Sequence, residues 1–312
     1  MVFSRWNPEN KYILKANQTD PSRCKNLICA DIWADMVKAR ENVPEELHNL
    51  SNYGAVDGFP IAVYFDDKFH GLYTMNLHKD DDLFGMKDGK DQAIMIINHA
   101  DGAEAQFREA AVFEDETPWE VEYCGTEDTL WAREKLNALI DFVQTSTDTE
   151  FRTKIGNYLD LESAIDYVIA MYAFDLQEHS AKDLILVTYG KDSPWICSMY
   201  DMEEAFDDGC MPVFNGTSWE SGTGSLLWDR FINAFYPEIC ARYEALRNSL
   251  LDSDVLTSRV ESYVAQIPDI IYKADASARG SDLYTNAQTV LMTDTIRQAL
   301  SELNSVFLTE RK

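Results

Sequence analysis

Residues 183–201, DLILVTYGKDSPWICSMYD, limit the fold of this chain more than any other stretch. Two apolar runs flank Gly190, Lys191, Asp192 and Ser193, a turn composition, so the segment reads as a β-hairpin. On either side the apolar period changes. Leu161, Ile165, Val168, Ile169 and Tyr172 precede it at three-to-four spacing, and LLWDRFINAF opens a further helical stretch beyond it. A hairpin with carboxylates at both ends is therefore embedded in a mostly helical half.

The first half is mixed. KYILKAN is strand-like, and TDPS supplies a turn in which Asp20 or Ser22 can accept from free amides of a first helical turn. Leu27, Ile28, Ile32, Met36 and Val37 then define a helix, with Pro44 as its expected exit. GFPIAVYFDDKFHGLYTMNLHK reads as a second hairpin around a short Asp-Asp-Lys connection, and 93–97 and 118–123 as further strands. From about residue 126 helical periodicity takes over, with Leu130, Leu136, Leu139, Ile140 and Val143 in one segment, while the Gly-rich stretch 207–225 suits an exposed loop. The expected class is α+β, with a mixed part over 1–125 and a mostly helical part over 126–312 that contains the acidic hairpin 183–201.

Charge narrows the partners. Subtracting 54 Asp and Glu from 27 Lys and Arg leaves −27, a field that repels nucleic-acid backbones and anionic lipid. Neither nucleic acid nor a membrane is the expected partner, and a bound nucleotide would need a metal ion or a local basic patch. The six cysteines form no CxxC spacing and read as reduced, mostly buried thiols. MVFSRWNPENKYILK carries no uninterrupted apolar segment behind a basic leader. The expected location is therefore a cytoplasm or a particle assembled in one, and the N-x-S/T matches at Asn17, Asn49 and Asn215 carry little weight.

The densest group of ionisable residues surrounds the hairpin. Side chains alternate along an extended strand, so Asp201 and Glu203 share one side at its exit, and Asp183 at its entry lies near the same end. Three such carboxylates resist full ionisation unless a cation sits among them, and Mg²⁺ or Mn²⁺ suits a site completed by substrate phosphates. Glu178 and Lys182 lie within a turn of this group. A second reading stays open here: in a chain with 54 acids, several fall together on a solvated hairpin without any ligand. His70, His78 and His179 lack zinc spacing, no G-x-S-x-G elbow is present, and Cys197 has no histidine beside it, so hydrolase chemistry has little support. The tryptophans read as core and interface material.

Glu178, the pair Lys182-Asp183, ILVTYGKDSPW, and Tyr200-Asp201-Met202-Glu203 together resemble the CotH (spore-coat protein H) family of atypical protein kinases, in particular its divergent phage-associated members. KYILKANQTDPSRCKNLICADIW resembles the family's strand-to-helix segment, GFPIAVYFDDKFHGLYTMNLHK its first hairpin, and LLWDRFINAFYPEICARYEALR its helical tail. The resemblance implies a protein-kinase-like two-lobed fold with a reduced N-lobe, and ATP with Mg²⁺ or Mn²⁺ as cofactors. It gives Asp201 the role of the metal-binding Asp of the YDxD element, Asp183 that of a metal-holding Asn, and Glu203 that of the second Asp. Glu178 stands at the catalytic Asp, with Asp175 as a surrogate base. No glycine precedes Lys11, so Lys11, Lys15 and Lys79, with Lys182 beside the acids, are the cations available to phosphates. The partner implied is a protein acceptor phosphorylated on Ser or Thr. The alternative is a catalytically degenerate CotH-like fold serving as a structural or docking component of a phage tail or similar assembly. The oligomeric state stays open.

Overall fold

The computed structural model describes residues 11–98, 102–206, 222–280 and 285–308. Cys210, Asn215 and most of the Gly-rich stretch lie outside them. The fold is α+β, with two antiparallel sheets among the described residues. The first comprises β1 (Tyr12–Lys15), β2 (Gly58–Phe65) and β3 (Lys68–Leu77), in the order β1-β3-β2. Between β1 and β2 lie α1 (Lys25–Lys38) and the single turn α2 (Glu45–His48). The link between β2 and β3 is the pair Asp66 and Asp67, with φ of 47° and 60°. Left-handed geometry at both central residues is what lets a two-residue turn follow the strand twist, and Asp tolerates it.

At the start of α1, Asp20 accepts from the Ser22 and Lys25 amides at 2.9 Å each, as the TDPS turn suggests. The helix ends at Lys38, short of the expected exit. Pro44 instead precedes α2 with φ −52°. Just beyond the end of α1, Arg40 turns inward, and its Nε donates to the buried Asp166 carboxylate at 2.7 Å.

The second sheet comprises β4 (Ala93–Ile97), β5 (Trp119–Cys124), β6 (Leu184–Thr188) and β7 (Ile196–Met199), in the order β5-β4-β6-β7. Its central pairing, Ala93↔Thr188 to Ile96↔Ile185, joins the hairpin 183–201 to a strand from the first half of the chain. Every residue of β4, β6 and β7 is buried. Met95, Leu184, Leu186, Cys197 and Met199 enter the main core, while Ile94, Ile96, Ile185, Val187 and Ile196 enter a second one with Leu77, Leu83 and Phe84. Burial on both faces explains why these strands read as continuous apolar runs.

The helical part begins with α3 (Leu130–Thr145), α4 (Asp148–Lys154) and α5 (Leu161–Ala173) before β6. It resumes after β7 with α6 (Leu226–Arg247), α7 (Ser253–Val264), α8 (Asp269–Ala278) and α9 (Thr285–Phe307). On α5, Tyr167 stacks on Trp228 at 4.9 Å and meets Trp33 edge-on at 6.3 Å, so α1, α5 and α6 share one aromatic centre. Asp166 accepts from Arg40 on one side and from Arg242 at 2.9 Å on the other, pinning the same three elements. Asp275 on α8 accepts from Arg23 at 2.8 Å and from the Leu72 amide at 2.7 Å, which seats α8 against β3. Among the described residues no disulfide forms, and no helix is long and apolar enough to cross a membrane.

Candidate active site

The register Leu184↔Met199 brings the entry of β6 and the exit of β7 to the same end of the sheet. Asp183 stands just before the first and Tyr200-Asp201 just after the second. The Asp183 amide donates to Ile97 O at 2.8 Å, anchoring this end to β4. Glu178 and His179 sit on a 3-10 turn over Gln177–Ser180 between α5 and β6. Together these segments enclose a cleft of about 310 Å³, near the lower bound of small-molecule sites. Asp175, Glu178, Lys182, Asp183, Asp201 and Glu203 all line it.

Asp175, Asp183 and Asp201 have φ of 57°, 57° and 55°. Left-handed backbone is uncommon outside glycine and costs a residue with a Cβ about 1–2 kcal/mol, least for Asp and Asn. Three such residues in one cleft mark a conformation that the surrounding packing imposes, as at many functional sites.

Two lysines offset part of the acidic charge. Lys15, the last residue of β1, pairs with the Asp201 carboxylate. Lys182 Nζ lies 2.9 Å from Glu178 Oε2 and 3.6 Å from Asp183 Oδ2. Burial works against the Lys182 charge, but the hydrogen bond to Glu178 and the charges of Asp183 and Glu178 outweigh it and hold its pKa above the usual range. Burial pushes Asp183 up to about 7; Asp201 adds to the shift, while Lys182, the Tyr200 hydroxyl and Lys15 oppose it. Glu203 is raised by burial and then by Asp201. His179, fully enclosed, is lowered to about 4 by burial.

The expected convergence of three carboxylates on one divalent ion is not what the side chains form. Among the described residues, no three His, Cys, Asp or Glu groups stand close enough to hold a metal ion. The lysines offset part of the acidic charge, and Asp201 still raises the pKa of both Asp183 and Glu203. Magnesium differs from a caged metal in needing only one or two carboxylates beside substrate phosphates and water. Asp183 and Asp201 line the same cleft and are the carboxylates that could supply that smaller donor set to Mg²⁺ or Mn²⁺ arriving with a nucleotide, whereas the described residues do not fit a resident protein cage.

The remaining lysines are placed differently. Lys79 is engaged by Glu122 at 3.2 Å and Asn98 at 3.3 Å, and its ammonium lies 4.6 Å from the Tyr200 ring centre. It touches the site through Tyr200, whose hydroxyl donates to Asn98 Oδ1 at 2.7 Å. Lys11 pairs with Asp80 at 3.1 Å, away from the acids. Sequence reasoning did not single out Asn98, Glu122 or the Tyr200 hydroxyl, whose signal exists only once β4, β5 and β7 share a sheet.

No curated protein matches the chain. The model of the family described as CotH kinase protein matches residues 4–303. That match runs through both sheets, the acidic hairpin and the helices, and on it this chain belongs to the CotH kinase protein family.

Proposed function

We propose that the chain transfers the γ-phosphoryl group of ATP to a Ser or Thr hydroxyl of a protein acceptor, within a kinase-like two-lobed arrangement of the 1–125 and 126–312 parts. The observation that carries this reading is that Glu178, Lys182, Asp183, Asp201 and Glu203, from separate segments of a CotH-family chain, line one cleft that Lys15 reaches from the other sheet. Asp183 and Asp201 would hold Mg²⁺ or Mn²⁺, with Glu203 beside them; the ion, when bound, supplies positive charge to the phosphate oxygens. Lys15 exchanges Asp201 for a phosphate oxygen, and Lys182 keeps Glu178 turned toward the cleft. The acceptor oxygen bonds to the γ-phosphorus as the bond to the β–γ bridging oxygen breaks. ADP leaves with that electron pair, and Glu178 takes the hydroxyl proton. Lys79 contributes by holding Tyr200.

A second reading has its own support. Lys15 and Lys182 already pair with Asp201, Glu178 and Asp183, which suits a family member kept as a structural or docking component of a phage tail or similar assembly, in a cytoplasm or a virion. Incubation with γ-labelled ATP, Mn²⁺ and candidate protein acceptors separates the two. Label transferred by the wild type and abolished by Asp201→Ala supports the kinase reading; equal label in both removes it.

A further inference from the structure

His179 follows Glu178 on the 3-10 turn and is 2 % exposed. Its Nε2 lies 2.9 Å from the carbonyl oxygen of Tyr200, the residue before Asp201. A carbonyl only accepts, so Nε2 carries the hydrogen and Nδ1 is a bare acceptor. Nδ1 is buried and has no hydrogen-bond partner among the described residues, where one bond sets the orientation of the ring. The main chain of the same residue is held as well, since Tyr167 Oη on α5 donates to His179 O at 2.9 Å. The turn that carries Glu178 is thereby tied to a core helix and to the exit of β7.

Packing alone does not account for a histidine here. An apolar side chain of similar length would fill the space without leaving a buried nitrogen unpaired. What an apolar side chain lacks is the donor to Tyr200 O, and the residue that follows Tyr200 has a left-handed backbone, with φ 55° at Asp201.

We propose that His179 is a positioning residue: its hydrogen bond to the Tyr200 carbonyl fixes Asp201 relative to Glu178, and so sets the separation between the phosphate-side carboxylate and the proton acceptor. The chemical consequence rests on the phosphoryl-transfer reading; the geometric one does not.

The test compares the wild type with His179→Gln, which keeps a donor near the Nε2 position, and His179→Met, which has none. Titration with a non-hydrolysable ATP analogue and Mg²⁺ should show about 10-fold or weaker affinity in H179M, the scale of a lost outer-shell contact, and recovery in H179Q. Hydrogen exchange supplies the second readout, at the Met202 amide that donates to Asn26 Oδ1 at 2.6 Å. That amide should exchange faster in H179M and regain its protection in H179Q. Wild-type affinity in a folded H179M, or a loss in H179Q equal to that in H179M, overturns the proposal. Should the wild type itself bind no nucleotide, the kinase reading falls, and Met202 exchange decides the positioning role: faster in H179M alone supports it, and unchanged in both overturns it.

Discussion

The Lys15 ammonium is bonded to the Asp201 carboxylate, although the two residues are 186 positions apart. One closes β1 in the first sheet and the other follows β7 in the second. The pair gives the acidic cleft a cation from a distant part of the chain, and in the kinase reading it is the contact that an incoming phosphate must replace.

Replacing Lys15 by Met should therefore separate binding from stability. Both partners are partly solvent-exposed, and pairs of that kind contribute about 0–1 kcal/mol. The melting temperature should move by only a few degrees. Affinity for a Mg²⁺–ATP analogue should fall by about 10-fold or more, since the phosphates lose a charge-assisted contact. Calorimetry and thermal denaturation on the same sample check both outcomes.

Asp183 gives a pH dependence of definite sign. Its folded pKa, about 7, lies above its ordinary value of 3.8, so the native state binds a proton that the unfolded chain releases. The stabilisation is fully present below about pH 4 and is lost as pH rises through about 7. Asp183→Asn, which cannot ionise, should gain on the wild type across that interval, by on the order of 3–4 kcal/mol at its upper end. Denaturant melts of both proteins at pH 5 and pH 8 measure the difference. Divalent-ion affinity, which needs the carboxylate, should rise over the same interval in the wild type alone.

His179 acts in the opposite direction. Its pKa is depressed from 6.5 to about 4, so the unfolded chain takes up a proton before the native state does. Stability from this group is present above about pH 6.5 and is lost as pH falls through about 4. In H179Q this contribution should disappear, so the variant should gain about 3 kcal/mol on the wild type as pH falls from 6.5 to 4. Because the Asp183 and His179 intervals overlap with opposite signs, the wild-type profile should be flatter there than that of either single variant.

Asp166 tests the helical core independently of the cleft. It is completely buried and accepts from both Arg40 and Arg242. Asp166→Ala leaves two guanidinium groups without their carboxylate and should cost about 3–5 kcal/mol. Chemical denaturation with an unchanged m-value checks it.

Local chemistry made the hairpin 183–201 and the helices around Leu139 and Val168 readable from sequence, because β-branched runs, turn residues and helical spacing act over a few positions. The end of α1 is not readable: Pro44 reads as the stop, whereas the helix ends at Lys38 and Arg40 just beyond it pairs with Asp166 across the fold. Pairing of β6 with β4 depends on packing between distant segments, and neither strand carries a mark of its partner. Within the site, the acids Glu178, Asp183, Asp201 and Glu203 stood out by their spacing. Their compensation by Lys15 and Lys182 did not, since a lysine that meets a carboxylate across the fold has the same local sequence signature as one in solvent. Lys79 shows the converse, a cation beside the site whose charge is taken up by Glu122.

The most direct measurement is calorimetric titration of the wild type and Asp201→Asn with a non-hydrolysable ATP analogue, with and without Mn²⁺. The kinase reading predicts saturable binding by the wild type that needs the metal ion, and its loss in the variant. Absence of binding by a folded wild type, or equal binding by the two proteins, would contradict it.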